Sequence, residues 1–183
     1  MEVSFNKGSR KEFYRNNTPH IYEKGEWIAV EGTGGFDVGQ VSLQGELVKL
    51  QMKKYGVTDT PAIKRVLRPA GEAEMALYEE QKAREQEIMV RSRAMEERMI
   101  KMSKSGQGYF WIGGPGEEAF NVCLGLQVKK GQGPDYDYLH LHYRNSATLV
   151  AMGMPLSHGL RQMAMPANDT HSFGRNFSGH FAC

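Results

Sequence analysis

The residue pair best suited to chemistry in this chain is Tyr143-Arg144. A guanidinium beside a phenol can hold a phosphate through two parallel N–H bonds and a hydroxyl donor. The same pair also has the form of a surface ion-pairing arginine next to a core aromatic. Just upstream, in Tyr138-Leu139-His140-Leu141-His142, two imidazoles lie two apart, on one side of the chain if it is extended. Two imidazoles can begin a metal site, but no third ligand has an obvious local position, so polar or cofactor-lining roles are read for them and no metal site is assigned. Two glycine clusters look like phosphate loops and are read otherwise. Gly32-Thr33-Gly34-Gly35-Phe36-Asp37 places a carboxylate where a dinucleotide fingerprint needs a small residue, so it reads as a hairpin turn. Gly113-Gly114-Pro115-Gly116-Glu117-Glu118 lacks the Lys and Ser/Thr of a P-loop, and its two carboxylates suit the positive end of a helix dipole.

These residues must be positioned by elements of two kinds. Short apolar runs with period-two alternation, Val3-Ser4-Phe5, Trp27-Ile28-Ala29-Val30, Val38 to Leu43 and Leu47 to Met52, alternate with glycine-rich turns and predict strands. Residues 1–55 are therefore expected to form a small antiparallel β unit, with no helix before residue 72. From 72 to 104 the composition shifts to helix formers, with Pro69 ahead of the start and Gly106 past the end, which predicts one long helix. Its middle, residues 79–87, is almost wholly charged or amide, whereas Met95, Met99 and Met102 recur at helical spacing. Further on, helix is predicted over 117–128, a turn at 131–134, and two short helices over 147–154 and 155–165. The fold class is α+β. The eleven methionines read first as core packing and second as an adaptable subunit interface.

Composition excludes several classes. A formal net charge of +2 gives no support to nucleic-acid binding. No apolar stretch approaches the roughly 20 residues that cross a bilayer, and the start lacks a basic segment leading into an apolar one, so no membrane partner is expected and a cytoplasmic location is. Two cysteines, Cys123 and Cys183, allow neither a disulfide framework nor a CxxC site.

Two resemblances run through the chain. Arg10 to Asn16, Gly25 to Glu31, Gly35 to Glu46 and Arg65 to Ala70 resemble, in order and spacing, the YaaT-like family related to a yeast suppressor of polymerase alpha mutations. That resemblance implies a non-catalytic regulatory protein with protein partners. Arg93 to Met99, Gly113 to Ala119, His142-Tyr143-Arg144-Asn145, Ala151 to Pro155 and Gly174 to Phe181 resemble the start of the alpha subunit of thiamine-diphosphate-dependent 2-oxoacid dehydrogenases, the pyruvate and branched-chain enzymes. This second resemblance implies an oxidoreductase, thiamine diphosphate with magnesium as cofactor, and a dehydrogenase beta subunit as partner. It places Tyr143 and Arg144 on the cofactor diphosphate and His180 near the same site, and it names no catalytic residue in this chain. That family's Gly-Asp-Gly and Asn-Asn magnesium motif has no counterpart here.

The expected organisation is a YaaT-like β module over 1–71, a connecting helix over 72–104 with the junction near 91–95, and a mainly helical dehydrogenase segment over 105–183. The chain is expected to be a truncated fusion, inactive alone. The alternative is a non-catalytic interaction protein.

Overall fold

Val3 and Phe5, like Ile28 and Val30, lie two apart, and extended chain puts each such pair on one face. All four are buried, in one apolar cluster with Tyr14, Tyr22, Val41 and Val66. The walls around them are strands Glu2–Phe5 (β1), Arg10–Phe13 (β2), Arg15–Asn16 (β3), Trp27–Gly32 (β4), Gly35–Leu43 (β5) and Arg65–Pro69 (β6), in sheet order β2-β1-β5-β4-β6-β3. All neighbours are antiparallel except β3 and β6. The two outer strands of that order are separated in sequence by Tyr14 alone. Tyr14 donates its N–H to the Met1 carbonyl at 2.9 Å, and the next residue, Arg15, donates to Lys64 at 2.9 Å. One run of chain thus serves both edges, and the sheet curls upon itself.

This computed structural model describes residues 1–108, 110–171, 173 and 174, and the backbone of 181 and 182. It comprises two units, Met1–Glu80 and Gln81–Cys183.

In the first unit the glycine cluster at 32–35 is a hairpin turn. Gly32 pairs with Gly35 across a two-residue loop, and Gly34 takes φ +78°, a conformation that residues with a Cβ rarely adopt. Residues 47–52 are not the expected strand. They lie in a helix, Glu46–Lys54 (α1), which also overturns the expectation of no helix before residue 72. Val48 is the one β-branched residue in that stretch, the rest are helix formers unbranched at Cβ, and Glu46 and Lys53-Lys54 complement the helix dipole at its two ends. The sheet also recruits β2, β3 and β6, which apolar alternation did not mark.

The long helix spans Glu72–Lys104 (α2). At its start the Gly71 N–H donates to the Glu74 carboxylate at 2.9 Å. At its end Gly106 has φ +72° and the Gln107 N–H returns to the Met102 carbonyl at 2.9 Å, a glycine-terminated C-cap. Residues 79–87 of α2 include no buried residue, and burial begins at Ile88. In the second unit Met95, Met99 and Met102 pack with Ile88, Val122, Val150 and Met163. The other helices of that core are Glu118–Gln127 (α3), Ser146–Ala151 (α4) and Leu156–Ala164 (α5). A short strand, His140–Leu141 (β7), pairs antiparallel with Phe181–Ala182 (β8). The helices foreseen from residue 117 onward are all present, the two after residue 145 each somewhat shorter. No helix of the described residues is long and apolar enough to cross a membrane.

Two outcomes check this packing. A Cβ on Gly39, in β5, would stand 2.7 Å from carbon atoms of Val3 and of Phe5. Gly39→Ala therefore overpacks the first unit's core, with an expected cost of about 1–3 kcal/mol in urea unfolding; an unmoved midpoint contradicts the tight packing. Amides of 79–87 should exchange fast relative to those of β4 and β5, because that stretch of α2 is held by little beyond its own hydrogen bonds. Equal protection in native-state hydrogen exchange contradicts this.

Candidate functional site

Tyr143 and Arg144 fall in a single 3-10 turn, Tyr143–Asn145, between β7 and α4. His142 caps that turn, so its role is structural: its Nδ1 accepts from the Arg144 N–H at 3.1 Å, and its own N–H donates to Asn145 Oδ1 at 3.1 Å. With Nδ1 used as an acceptor, the ring is fixed as the Nε2–H tautomer if neutral. Among the described residues no group of three or more His, Cys, Asp or Glu side chains is placed to hold a metal ion. His140 and His142 are both exposed.

A second set of bonds holds the turn from its buried side. Asn121 of α3 is 1% exposed. Its Oδ1 accepts from Asn145 Nδ2 at 2.8 Å and from Thr148 Oγ1 at 2.9 Å, while its Nδ2 donates to the Glu117 carbonyl at 3.1 Å and to the Arg144 carbonyl at 3.5 Å. Every hydrogen-bonding direction of that amide is used, as burial requires. Glu96 of α2, 2% exposed, accepts from Trp111 Nε1 at 2.9 Å and from the Ser146 hydroxyl.

Between these groups passes the Gly113-Gly114-Pro115-Gly116 segment. A Cβ on Gly113 would strike the Glu96 carboxylate, and one on Gly114 would strike the Arg144 carbonyl oxygen. The glycines are thus explained by close approach of backbone. The segment then enters α3, as the carboxylates predicted: Gly116 N–H donates to Glu118 at 2.9 Å, and Arg93 Nε donates to the other oxygen of the same carboxylate at 2.6 Å.

The Arg144 side chain itself is exposed. Its guanidinium carbon lies 5.6 Å from the Tyr143 ring centroid, within cation–π range. No carboxylate among the described residues forms an ion pair with it, whereas the cations of the first unit's sheet are largely matched to acids, as in Arg10 with Glu12 and Asp37, Arg65 with Glu31, and Lys11 with Glu2. The arrangement is a backbone held by buried polar groups that presents an uncommitted cation with an aromatic ring beside it. Such a group can bind an anion. His180, the third residue assigned by resemblance, lies outside the described residues.

Sequence reasoning missed Glu96, Asn121 and the role of Gly114. Asn121 could have been singled out as an amide set between the apolar residues Phe120 and Val122 of a helix, and Glu96 as the acid next to Met95 on the buried stripe.

The Arg93 hydrogen bond is the main cause that holds the Glu118 carboxyl below its ordinary value of 4.5, and it raises Arg93 in turn. A depressed carboxylate contributes stability that is present above the unfolded pKa and lost as pH falls through the folded one. Arg93→Met should therefore move the Glu118 pKa up toward 4.5 in a carboxyl NMR titration and flatten the loss of stability below that pH. An unshifted titration contradicts the ion pair.

Comparison with known proteins gives one similarity. The chain is 30% identical over 93 residues to the 2-oxoisovalerate dehydrogenase subunit alpha of Bacillus subtilis (strain 168). That stretch is 51% of this chain and 27% of the relative, so the chain spans only about a quarter of the relative's length. No protein-family model and no solved structure matches. Over about half its length, then, this chain is similar to the alpha subunit of a 2-oxoacid dehydrogenase.

Proposed function

We propose that the second unit is an alpha-subunit segment of a thiamine-diphosphate-dependent 2-oxoacid dehydrogenase, and that Tyr143 and Arg144 hold the diphosphate end of the cofactor. The observation that carries this reading is the exposed Arg144 guanidinium, without an acid partner among the described residues, on a turn whose backbone is bonded to His142 and Asn121. A cation so placed is available to an outside anion. The similarity to the Bacillus alpha subunit over about half of this chain supports the assignment.

The described residues fit only part of the cofactor. The anionic end is matched by Arg144 and the neighbouring phenol; the magnesium that would accompany it finds no cluster of ligands among the described residues. Thiamine diphosphate, when bound, supplies carbanion stabilisation. The part of this chain is to bind and orient its anionic end, together with a dehydrogenase beta subunit and the metal-binding portion of an alpha subunit. His180 belongs to the same site in this reading.

For the first unit we propose a YaaT-like, non-catalytic interaction module. Two of the motif stretches that carry that reading, 35–46 and 65–70, include the whole of β5 and β6, so they build the walls of the sheet and supply no cluster of reactive groups. The pairing of its cations with acids favours protein partners over nucleic acid.

A chimera tests the cofactor reading. Residues 93–183 replace the corresponding segment of the Bacillus alpha subunit, and the product is expressed with a beta subunit. Calorimetry should show thiamine diphosphate binding with magnesium, and Arg144→Ala should weaken it by about 2 kcal/mol, the scale of a charge-assisted hydrogen bond. Unchanged affinity in the variant returns Arg144 to the role of an ordinary surface residue.

A further inference from the structure

We propose that Glu96 is a positioning residue for the Arg144 anion contact; the inference rests on the diphosphate reading above. The Glu96 carboxylate is 2% exposed, and its two donors stand on the two segments that flank the site. Trp111 precedes Gly113 by two residues, and Ser146 follows Arg144 by two. One side chain of α2 therefore ties the glycine segment to the first residue of α4. The glycine segment is also packed on the turn directly, because Gly114 has no room for a Cβ against the Arg144 carbonyl. Asn121 holds the same turn from α3, through Asn145 and the Arg144 carbonyl. Glu96 supplies the remaining side of that frame.

An apolar residue would meet the needs of a methionine-rich core at lower cost, since a carboxylate taken out of water is destabilising unless donors surround it. What the carboxylate adds is direction: two hydrogen bonds set where Trp111 and Ser146 stand, and through them where the turn stands. Electrostatics alone gives the opposite expectation for its removal. Deleting a negative charge in this neighbourhood should strengthen anion binding, whereas loss of a positioning group should weaken it.

The test uses the whole 183-residue chain with inorganic pyrophosphate as the probe, read by NMR at the Arg144 side-chain Nε–H. The wild-type signal should titrate, and in Arg144→Ala, read at the backbone amides of Tyr143 and Asn145, no saturable response to pyrophosphate should remain. Glu96→Ala should bind about tenfold more weakly, the scale of one lost hydrogen bond. Glu96→Gln should bind at least as tightly as wild type, because its amide oxygen still accepts from Trp111, its NH2 can donate to the Ser146 oxygen, and a negative charge is removed. Glu96→Met keeps most of the volume and loses both acceptor oxygens, so it should bind as weakly as Glu96→Ala, a result that simple loss of packing does not produce; wild-type affinity there overturns the proposal. Wild-type or tighter affinity in Glu96→Ala overturns the proposal. Should Glu96→Ala unfold the chain, Ser146→Ala removes only the hydroxyl donor; weakened binding there supports the proposal, and wild-type binding overturns it. A wild-type chain with no Arg144-dependent titration overturns the diphosphate reading itself, and this inference with it.

Discussion

A carboxylate or amide taken out of water must be given partners, and in the second unit that constraint organises everything around Arg144. Glu96 and Asn121, both almost fully buried, satisfy their oxygens and N–H groups with Trp111, Ser146, Asn145, Thr148 and two backbone carbonyls. Because an unmade hydrogen bond in such a place costs about 1–3 kcal/mol, the bonds hold three helices and two loops to one arrangement. The methionine core is permissive about geometry, since its side chains are unbranched and adaptable. Directional polar bonds supply the precision that such a core lacks.

Close approach of backbone completes the frame. Gly113, Gly114 and Gly125 each stand where a Cβ would meet another group: the Glu96 carboxylate, the Arg144 carbonyl and the Thr148 carbonyl respectively. At Gly125 the Ala151 Cβ would also be only 2.7 Å away, which lets α3 and α4 pack closely and brings Asn121 within reach of Thr148 and Asn145. The exposed guanidinium is thus a flexible side chain on a rigid base. That combination suits an anion contact, since little backbone order has to be gained on binding.

The first unit solves a different problem. A short sheet has two unpaired edges, and edges invite association. Here one run of chain, bent at Tyr14, pairs with β1 through one half and with β6 through the other. The Tyr14 side chain is buried and its hydroxyl donates to Glu12 at 2.9 Å; burial, reinforced by that bond, pushes its pKa well up from 10.0. Together with the paired surface charges, this leaves a closed, electrostatically balanced surface on that sheet.

The sequence by itself determined what depends on local chemistry. The bounds of α2 follow from its helix formers and the glycine after it, the turn at 32–35 from its glycines, the start of α3 from Glu117-Glu118, and the buried stripe of Met95, Met99 and Met102 from its spacing. Adjacency also placed Tyr143 beside Arg144. What it could not determine depends on which distant segments meet. Residues 47–52 carry apolar residues at spacings that suit both a strand and a short helix, and which of them is covered is settled by tertiary packing: Val48 is buried while Leu47 and Leu50 are 57% and 64% exposed. Strands β2, β3 and β6 lack clear apolar alternation and take their identity from their neighbours. Glu96 and Asn121 look like surface residues of helices because burial of a polar group is profitable only beside a partner brought by the fold. Hydrogen bonding between residues 23 to 50 positions apart is a tertiary fact, and the geometry of the candidate site rests on it.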